Sequence, residues 1–115
     1  MMPHTLEQHF ENRSPGVRAI YNSILVAART LGDFEEEPKK TSIHLNRKTA
    51  FAGVEIRRQC LILTLKSDRD IDSGRVVKRE QTSAHRWHIE FRIEKADEID
   101  LELQRWLEKA YELSA

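Results

Sequence analysis

RWHIEFRI, residues 86–93, is the segment that decides the fold of this 115-residue chain. Every second residue from Trp87 to Ile93 is apolar, and the residues between them are His, Glu and Arg. This period of two is typical of a β-strand that has one face on a core and the other in solvent. We therefore predict a strand here whose apolar side chains point toward the core.

The chain before this strand contains further segments of the same kind. They are SIHLN (42–46), AFAGVEIRR (50–58), CLILTLK (60–66) and the stretch from Val76 to Gln81. The segment SDRDIDSG, residues 67–74, is dense in Asp, Ser and Gly and predicts a surface loop. Strands joined by short connections pair antiparallel, so we predict a four- to five-stranded antiparallel sheet. Small residues stand on both faces of AFAGV, which leaves open which face of this second strand is buried.

Two amphipathic helices flank the strands in the sequence. The first begins at Ser14 and Pro15, because Ser can accept orphan amide hydrogens and Pro has none to leave unpaired. Apolar residues then recur at helical spacing until Gly32. The second helix opens near Asp97 and is also apolar on one side. A shorter helix is predicted before the first.

These elements predict an α+β fold and a single domain over residues 1–115. Helices at both chain ends can cover one face of a sheet without crossing it. We therefore predict an antiparallel meander with an N-terminal and a C-terminal helix packed on one face. Trp87 and Trp106 are predicted to be core residues in mutual contact, and the other face of the sheet is left open.

Composition excludes several classes of protein. Nineteen basic and nineteen acidic residues give a formal net charge of zero, which excludes a globally basic nucleic-acid binder. No apolar stretch approaches the roughly 20 residues of a membrane span, and the N-terminal dozen residues lack the apolar core of a signal peptide. We expect a cytoplasmic protein, a monomer or weak homodimer, with no membrane partner.

The single cysteine, Cys60, can form neither an internal disulfide nor a thiolate zinc site, and we expect it to be a buried structural thiol.

The charge is divided between segments. Residues 38–92 contain thirteen basic and six acidic side chains, whereas the two flanking segments together carry an excess of seven acidic ones. Such a separation predicts a positive potential over the sheet, which would attract an anionic partner. The alternative is that acidic helices and basic strand edges only keep the domain soluble and prevent strands of different molecules from pairing.

Strand parity assigns a set of polar side chains to the open face. They are His44 and Asn46 in the first strand, Thr64 and Lys66 in the third, and Arg86, His88, Glu90 and Arg92 in the last. Phe51, Glu55 and Arg57 join them if Ala52, Val54 and Ile56 face the core. This set favours a recognition surface, although imidazoles on such a face often only bridge their neighbours.

The sequence gives less support to a metal site, a nucleotide-binding loop or a catalytic site. His44, His85 and His88 could bind a metal with Glu80 or Glu90, but His85 and His88 are three apart and would point to opposite faces of a strand. There is no HxH or HExxH pattern, no GxGxxG and no Walker motif. We assign no catalytic residue, no metal ligand and no cofactor.

Several motifs resemble a known family. PKKTSIHL (38–45), TAFAGV (49–54), SAHRWH (83–88) and LELQRWLEKAYEL (101–113) are similar to the bacterial domain-of-unknown-function family number 5655, and the N-terminal helix extends the likeness to nearly the whole chain. Members are small stand-alone proteins or modules, some described as predicted transport proteins. A weaker likeness, over the sheet and last helix, is to the YdhG-like domains proposed as iron chaperones. Neither resemblance implies a reaction.

The sequence therefore predicts a non-enzymatic binding module that uses a basic sheet face. Its ligand would be an anionic small molecule, a nucleic acid or an acidic protein segment, and an iron chaperone or an enzyme with a His-containing cleft are the alternatives. The ammonium and hydroxyl groups that precede the first strand could bind phosphate or carboxylate, or could belong to a charged turn. The candidate ligand-binding residues are Lys39, Lys40, Thr41, Ser42, His44, Phe51, His85, Arg86, His88 and Arg92.

Overall fold

The computed structural model describes residues 4–115 and confirms the α+β fold. The helices are α1 (Leu6–Phe10), α2 (Pro15–Arg29) and α3 (Leu101–Glu112), with a 3-10 turn at Ala96–Glu98. The strands are β1 (Glu35–Pro38), β2 (Ile43–Asn46), β3 (Ala50–Ile56), β4 (Leu61–Ser67), β5 (Val76–Ser83) and β6 (Arg86–Ile93). All neighbouring strands pair antiparallel, in the order β1-β2-β3-β4-β6-β5.

The sheet has six strands, so the predicted number of four to five was wrong. The additional strand is β1, whose sequence EEEP lacks the apolar alternation on which the prediction relied. It lies at the edge of the sheet and pairs only with β2, where Pro38 is tolerated because the sheet continues on one side alone. Glu36 points to the helix side, where its carboxylate accepts a 2.6 Å hydrogen bond from the Tyr21 hydroxyl.

The order of the last two strands also departs from a simple meander. The apolar strand β6 pairs directly with β4, and β5 is displaced to the edge. Burial explains this order, because β6 has three buried residues while β5 is exposed along nearly its whole length. The loop between β4 and β5 is long enough to carry the chain past the position that β6 occupies.

One face of the sheet is covered by helices, as predicted. Buried side chains of α2 and α3 form a single apolar core with the inward residues of β2, β3, β4 and β6. The other face carries no helix formed by the described residues. Within residues 4–115, no helix is both long and apolar enough to span a membrane.

The two tryptophans do not form the buried pair predicted from the sequence. Trp87 and Trp106 are both only partly buried at the margin of the core. The Trp106 ring stacks on Phe91, with centroids 5.1 Å apart, and the Arg75 guanidinium lies over its ring. Trp87 keeps the predicted strand parity but lies near the start of β6, opposite Ser67.

Candidate functional site

The open face contains a shallow groove with a volume of about 280 Å³. It crosses the middle of the sheet from β2 to β6. Its side-chain lining includes the hydroxyls of Thr41, Ser42 and Thr64, the imidazoles of His44 and His88, and the charged groups of Glu55, Lys66 and Glu90. The groove therefore combines most of the hydrogen-bonding chemistry of this face in one place.

Gly53 forms the floor of the groove. It lies between His44 on β2 and Thr64 on β4 in one row across the sheet. A Cβ atom placed on Gly53 would come within 3.9 Å of the His44 ring and 4.0 Å of the Thr64 Cβ. These are ordinary contacts, so the glycine is not required by packing, and its missing side chain is what keeps the groove open.

Lys66 supplies a positive charge to one end of the groove. Its ammonium donates hydrogen bonds to Thr49 Oγ1 and to Ser114 Oγ, both at 2.8 Å. Within residues 4–115 no carboxylate forms an ion pair with it. Since an ammonium has three N–H donors and two are used, one remains for a ligand.

The surroundings of Lys66 make its charge costly. Partial burial lowers the pKa of Lys66 below its ordinary value, and the nearby Arg86 guanidinium lowers it further. Both effects disfavour the ammonium form, because burial removes water and a like charge repels. An anion bound beside Lys66 would stabilise the ammonium form and so oppose both effects.

The two hydroxyls beside Lys66 come from the residues that follow α3 and from the β2–β3 turn. The buried Ser114 follows α3, and its carbonyl accepts a 3.1 Å hydrogen bond from the Lys48 amide in the β2–β3 turn. Arg47 in the same turn donates to the Tyr111 carbonyl and lies over the Tyr111 ring. The end of α3 and the turn that contains Thr49 are thus fixed together, which positions the Lys66 ammonium.

The positive charges of residues 38–92 are not concentrated on the open face. The strands place four basic side chains there, Lys66, Lys78, Arg86 and Arg92, together with five acidic ones, Glu35, Glu37, Glu55, Glu80 and Glu90. Others are ion-paired elsewhere: Arg75 binds Asp100, which caps α3, and Glu102 in its first turn, and Arg79 binds Asp70 in the β4–β5 loop. The face is therefore mixed in charge, with its local excess at Lys66 and Arg86.

The two groove histidines are far apart. His44 on β2 and His88 on β6 are separated by β3 and β4, which corresponds to about 14 Å at the usual strand spacing. Neither imidazole has a hydrogen bond to a carboxylate in the described part of the chain. Among residues 4–115 no cluster of three or more His, Cys, Asp or Glu side chains could hold a metal ion.

The structure brings together some of the predicted ligand-binding residues. Thr41, Ser42, His44 and His88 line the groove, and the Arg86 guanidinium is close enough to influence Lys66. Four others lie outside it: Lys39 pairs with Glu37 in the β1–β2 turn, Lys40 is exposed in that turn, His85 is exposed in the β5–β6 turn, and Arg92 is exposed opposite Ile62.

Phe51 was predicted to join the open face if Ala52, Val54 and Ile56 face the core; these three do face the core, but the placement of Phe51 was wrong. A β-bulge pairs Leu45 with Ala52 and Asn46 with Ala50, which leaves Phe51 as the extra residue. Its side chain turns into the core and makes edge-on contacts with Phe34 and Tyr111. Because this ring is buried, the open face has no Phe51 ring for stacking.

Two features of the groove were not identified as important from the sequence. Gly53 was visible only as one small residue in AFAGV, although a glycine inside a strand often marks a close backbone approach. Lys66 was assigned to the open face, but its hydroxyl partners come from distant parts of the chain. No local pattern connects Ser114 with Lys66.

The comparison with protein families agrees with the motifs. The family described as "Domain of unknown function (DUF5655)" matches residues 6–114. No curated protein and no solved structure matches the chain. The match extends over both long helices, the whole sheet and every residue that lines the groove, and the chain accordingly belongs to the DUF5655 family.

Proposed function

We propose that this chain is a non-enzymatic binding module whose groove holds a small anionic ligand anchored on Lys66. The observation that carries the proposal is Lys66, which lines the groove and whose partly buried ammonium has, within residues 4–115, only neutral hydroxyls as hydrogen-bond partners. A partly desolvated cation without a counter-ion costs free energy. A ligand carboxylate or phosphate offsets this cost through a charge-assisted hydrogen bond.

The size and charge of the open face favour a small ligand over a nucleic acid. The groove volume of about 280 Å³ lies just below the range of typical small-molecule pockets. Binding of single strands uses a basic channel and aromatic side chains on which bases stack. This face has balanced charges, and the Phe51 ring is buried.

Binding of two simple anions, inorganic phosphate and propionate, tests the proposal by NMR titration. Lys66→Met should weaken the affinity for the anion about tenfold or more, because a hydrogen bond to a charged group contributes about 1.5–3 kcal/mol. Gly53→Ala should also weaken binding, since its methyl group fills the floor while making only ordinary contacts. Lys78→Met is the matched control, because it removes the same charge from the same face outside the groove.

Equal affinity of the parent and Lys66→Met for both anions would overturn the proposal. Single-stranded DNA and divalent metal ions, titrated in parallel at low and high salt, cover the competing classes. Binding of DNA that weakens equally in Lys66→Met and Lys78→Met would indicate a diffuse electrostatic surface instead of a groove. Binding of a metal that requires His44 or His88 would indicate the chaperone alternative.

A further inference from the structure

Glu90 provides a second charge in the groove that lacks a partner. It is partly buried on β6, opposite Thr64 of β4. Within residues 4–115 its carboxylate takes part in no ion pair, although Lys78 lies opposite it on β5. The other acidic residue of the groove, Glu55, is bound by Arg57 at 3.2 Å.

Lys66 and Glu90 lie close together on adjacent strands. Lys66 is opposite His88, and Glu90 is two residues further along β6, so the two are diagonal neighbours across the β4–β6 pair. The backbone positions of diagonal neighbours in an antiparallel pair are about 7–8 Å apart, and long side chains can reach across that distance. No direct ion pair joins Lys66 to Glu90, and the Lys66 ammonium is instead directed toward Thr49 and Ser114.

Lys66 and Glu90 both line the groove, so a ligand held there meets a cation and an anion that have no ion-pair partner within residues 4–115. A small zwitterion carries the two complementary charges. A simple anion would neutralise Lys66 but would place its negative charge near Glu90, whereas a zwitterion satisfies both groups.

We infer that the ligand of the groove is a small zwitterion, of the class of free α-amino acids, with its carboxylate on Lys66 and its ammonium on Glu90. This inference rests on the proposed function and specifies its ligand class. Lys66 provides attraction for the carboxylate, and Glu90 provides discrimination, because it binds an ammonium and repels a second negative charge.

L-alanine and propionate form the probe pair, because they differ by the ammonium group alone. The parent protein should bind L-alanine about tenfold more tightly than propionate, as expected for one additional charge-assisted hydrogen bond. Glu90→Gln, which retains the shape of the side chain, should abolish that preference by weakening L-alanine binding only. Glu80→Gln is the matched control, since Glu80 lies on the same face in the edge strand outside the groove.

The results separate this inference from the proposed function. If propionate and L-alanine bind equally and both depend on Lys66, the zwitterion inference is overturned and the anion site stands. If Glu90→Gln leaves the L-alanine preference intact, the inference is also overturned. If Lys66→Met affects neither compound, the proposed function itself fails. Thermal melts of each variant show whether it is folded before titration.

Discussion

The two faces of the sheet are built from the same strands but differ in how completely their groups are partnered. On the helix-covered face, most alternate residues of β2, β3, β4 and β6 are buried in one apolar core with α2 and α3. On the open face, the residues between them form a polar surface in which Lys66 and Glu90 have no ionic partner from residues 4–115. The helix-covered face therefore stabilises the domain, whereas the open face has groups available for a ligand.

Polar groups on the helix side have hydrogen-bond partners within the protein. The Tyr21 hydroxyl donates to Glu36, and burial, followed by this carboxylate, raises the pKa of Tyr21 above its ordinary range. The Tyr111 hydroxyl donates to the Asp33 carbonyl at 2.8 Å. In residues 4–115 no buried side-chain nitrogen or oxygen lacks a hydrogen-bond partner. The buried polar groups of the helix side therefore offer nothing to a ligand, in contrast to Lys66 and Glu90 in the partly exposed groove.

The largest expected effect lies in the core side of β3. Phe51→Ala should reduce the free energy of unfolding by about 3–5 kcal/mol, because it removes a fully buried ring and leaves a cavity between Phe34 and Tyr111. His88→Ala, on the exposed side of β6, should change it by less than about 0.5 kcal/mol. Urea unfolding followed by circular dichroism measures both. Similar midpoints for the two variants would show that the Phe51 ring is not in the core.

Two glycines, one near each face, give the next comparison. Gly32 has a φ of 145°, and a Cβ on it would collide with the Tyr111 hydroxyl. Gly32→Ala should therefore cost about 1–3 kcal/mol of stability. Gly53→Ala should leave stability unchanged or raise it slightly. Alanine lowers the conformational entropy of the unfolded chain, and its methyl group would make no close contact in the folded protein. A loss of stability in Gly53→Ala matching that in Gly32→Ala would mean that packing, not the groove, requires Gly53.

Periodicity allowed much of the fold to be predicted from the sequence. The alternation in residues 86–93 and the helical spacing after Ser14 are local patterns, and burial of one face is sufficient to impose them. The strand β1 could not be predicted in this way, because EEEP is held in the sheet by pairing with β2 and by the Tyr21 contact. Its structure depends on tertiary contacts instead of local composition.

The groove was predictable only in part for the same reason. Parity assigned His44, Thr64, Lys66 and His88 to one face, and the structure places them around one groove. The bulge at Phe51 reverses parity by a single residue, and nothing in AFAGV distinguishes the two alternatives. The contact of Lys66 with Ser114 joins residues far apart in sequence, so it follows from the complete fold alone.

A smaller effect is expected at the start of α3 on the helix side. The Asp100 side chain accepts a 3.0 Å hydrogen bond from the Leu103 amide and binds Arg75. Asp100→Ala should cost about 1 kcal/mol through loss of the helix cap, whereas Asp100→Asn should retain most of the stability. The Leu103 amide first, and then Arg75, lower the pKa of Asp100, so its contribution is present above the ordinary carboxyl pKa and is lost as pH falls through the lowered value. The difference in stability between the parent and Asp100→Asn, measured by denaturant unfolding at several pH values, should therefore grow as pH rises from the lowered pKa to the ordinary carboxyl pKa and stay constant above it.

The smallest effect, and the one most specific to the open face, is the alkaline pH dependence contributed by Lys66. Partial burial and Arg86 lower the pKa of Lys66 in the folded protein, so the unfolded chain binds this proton more tightly. Between the lowered pKa and the ordinary value of 10.5, stability therefore rises with pH relative to a variant that lacks the amine. Denaturant unfolding of the parent and Lys66→Met at several pH values below 10.5 should show the stability of the parent rising relative to that of the variant as pH increases. A difference that does not change with pH would mean that the Lys66 ammonium is as well hydrated as in the unfolded chain, and the free-energy argument for an anion beside it would be lost.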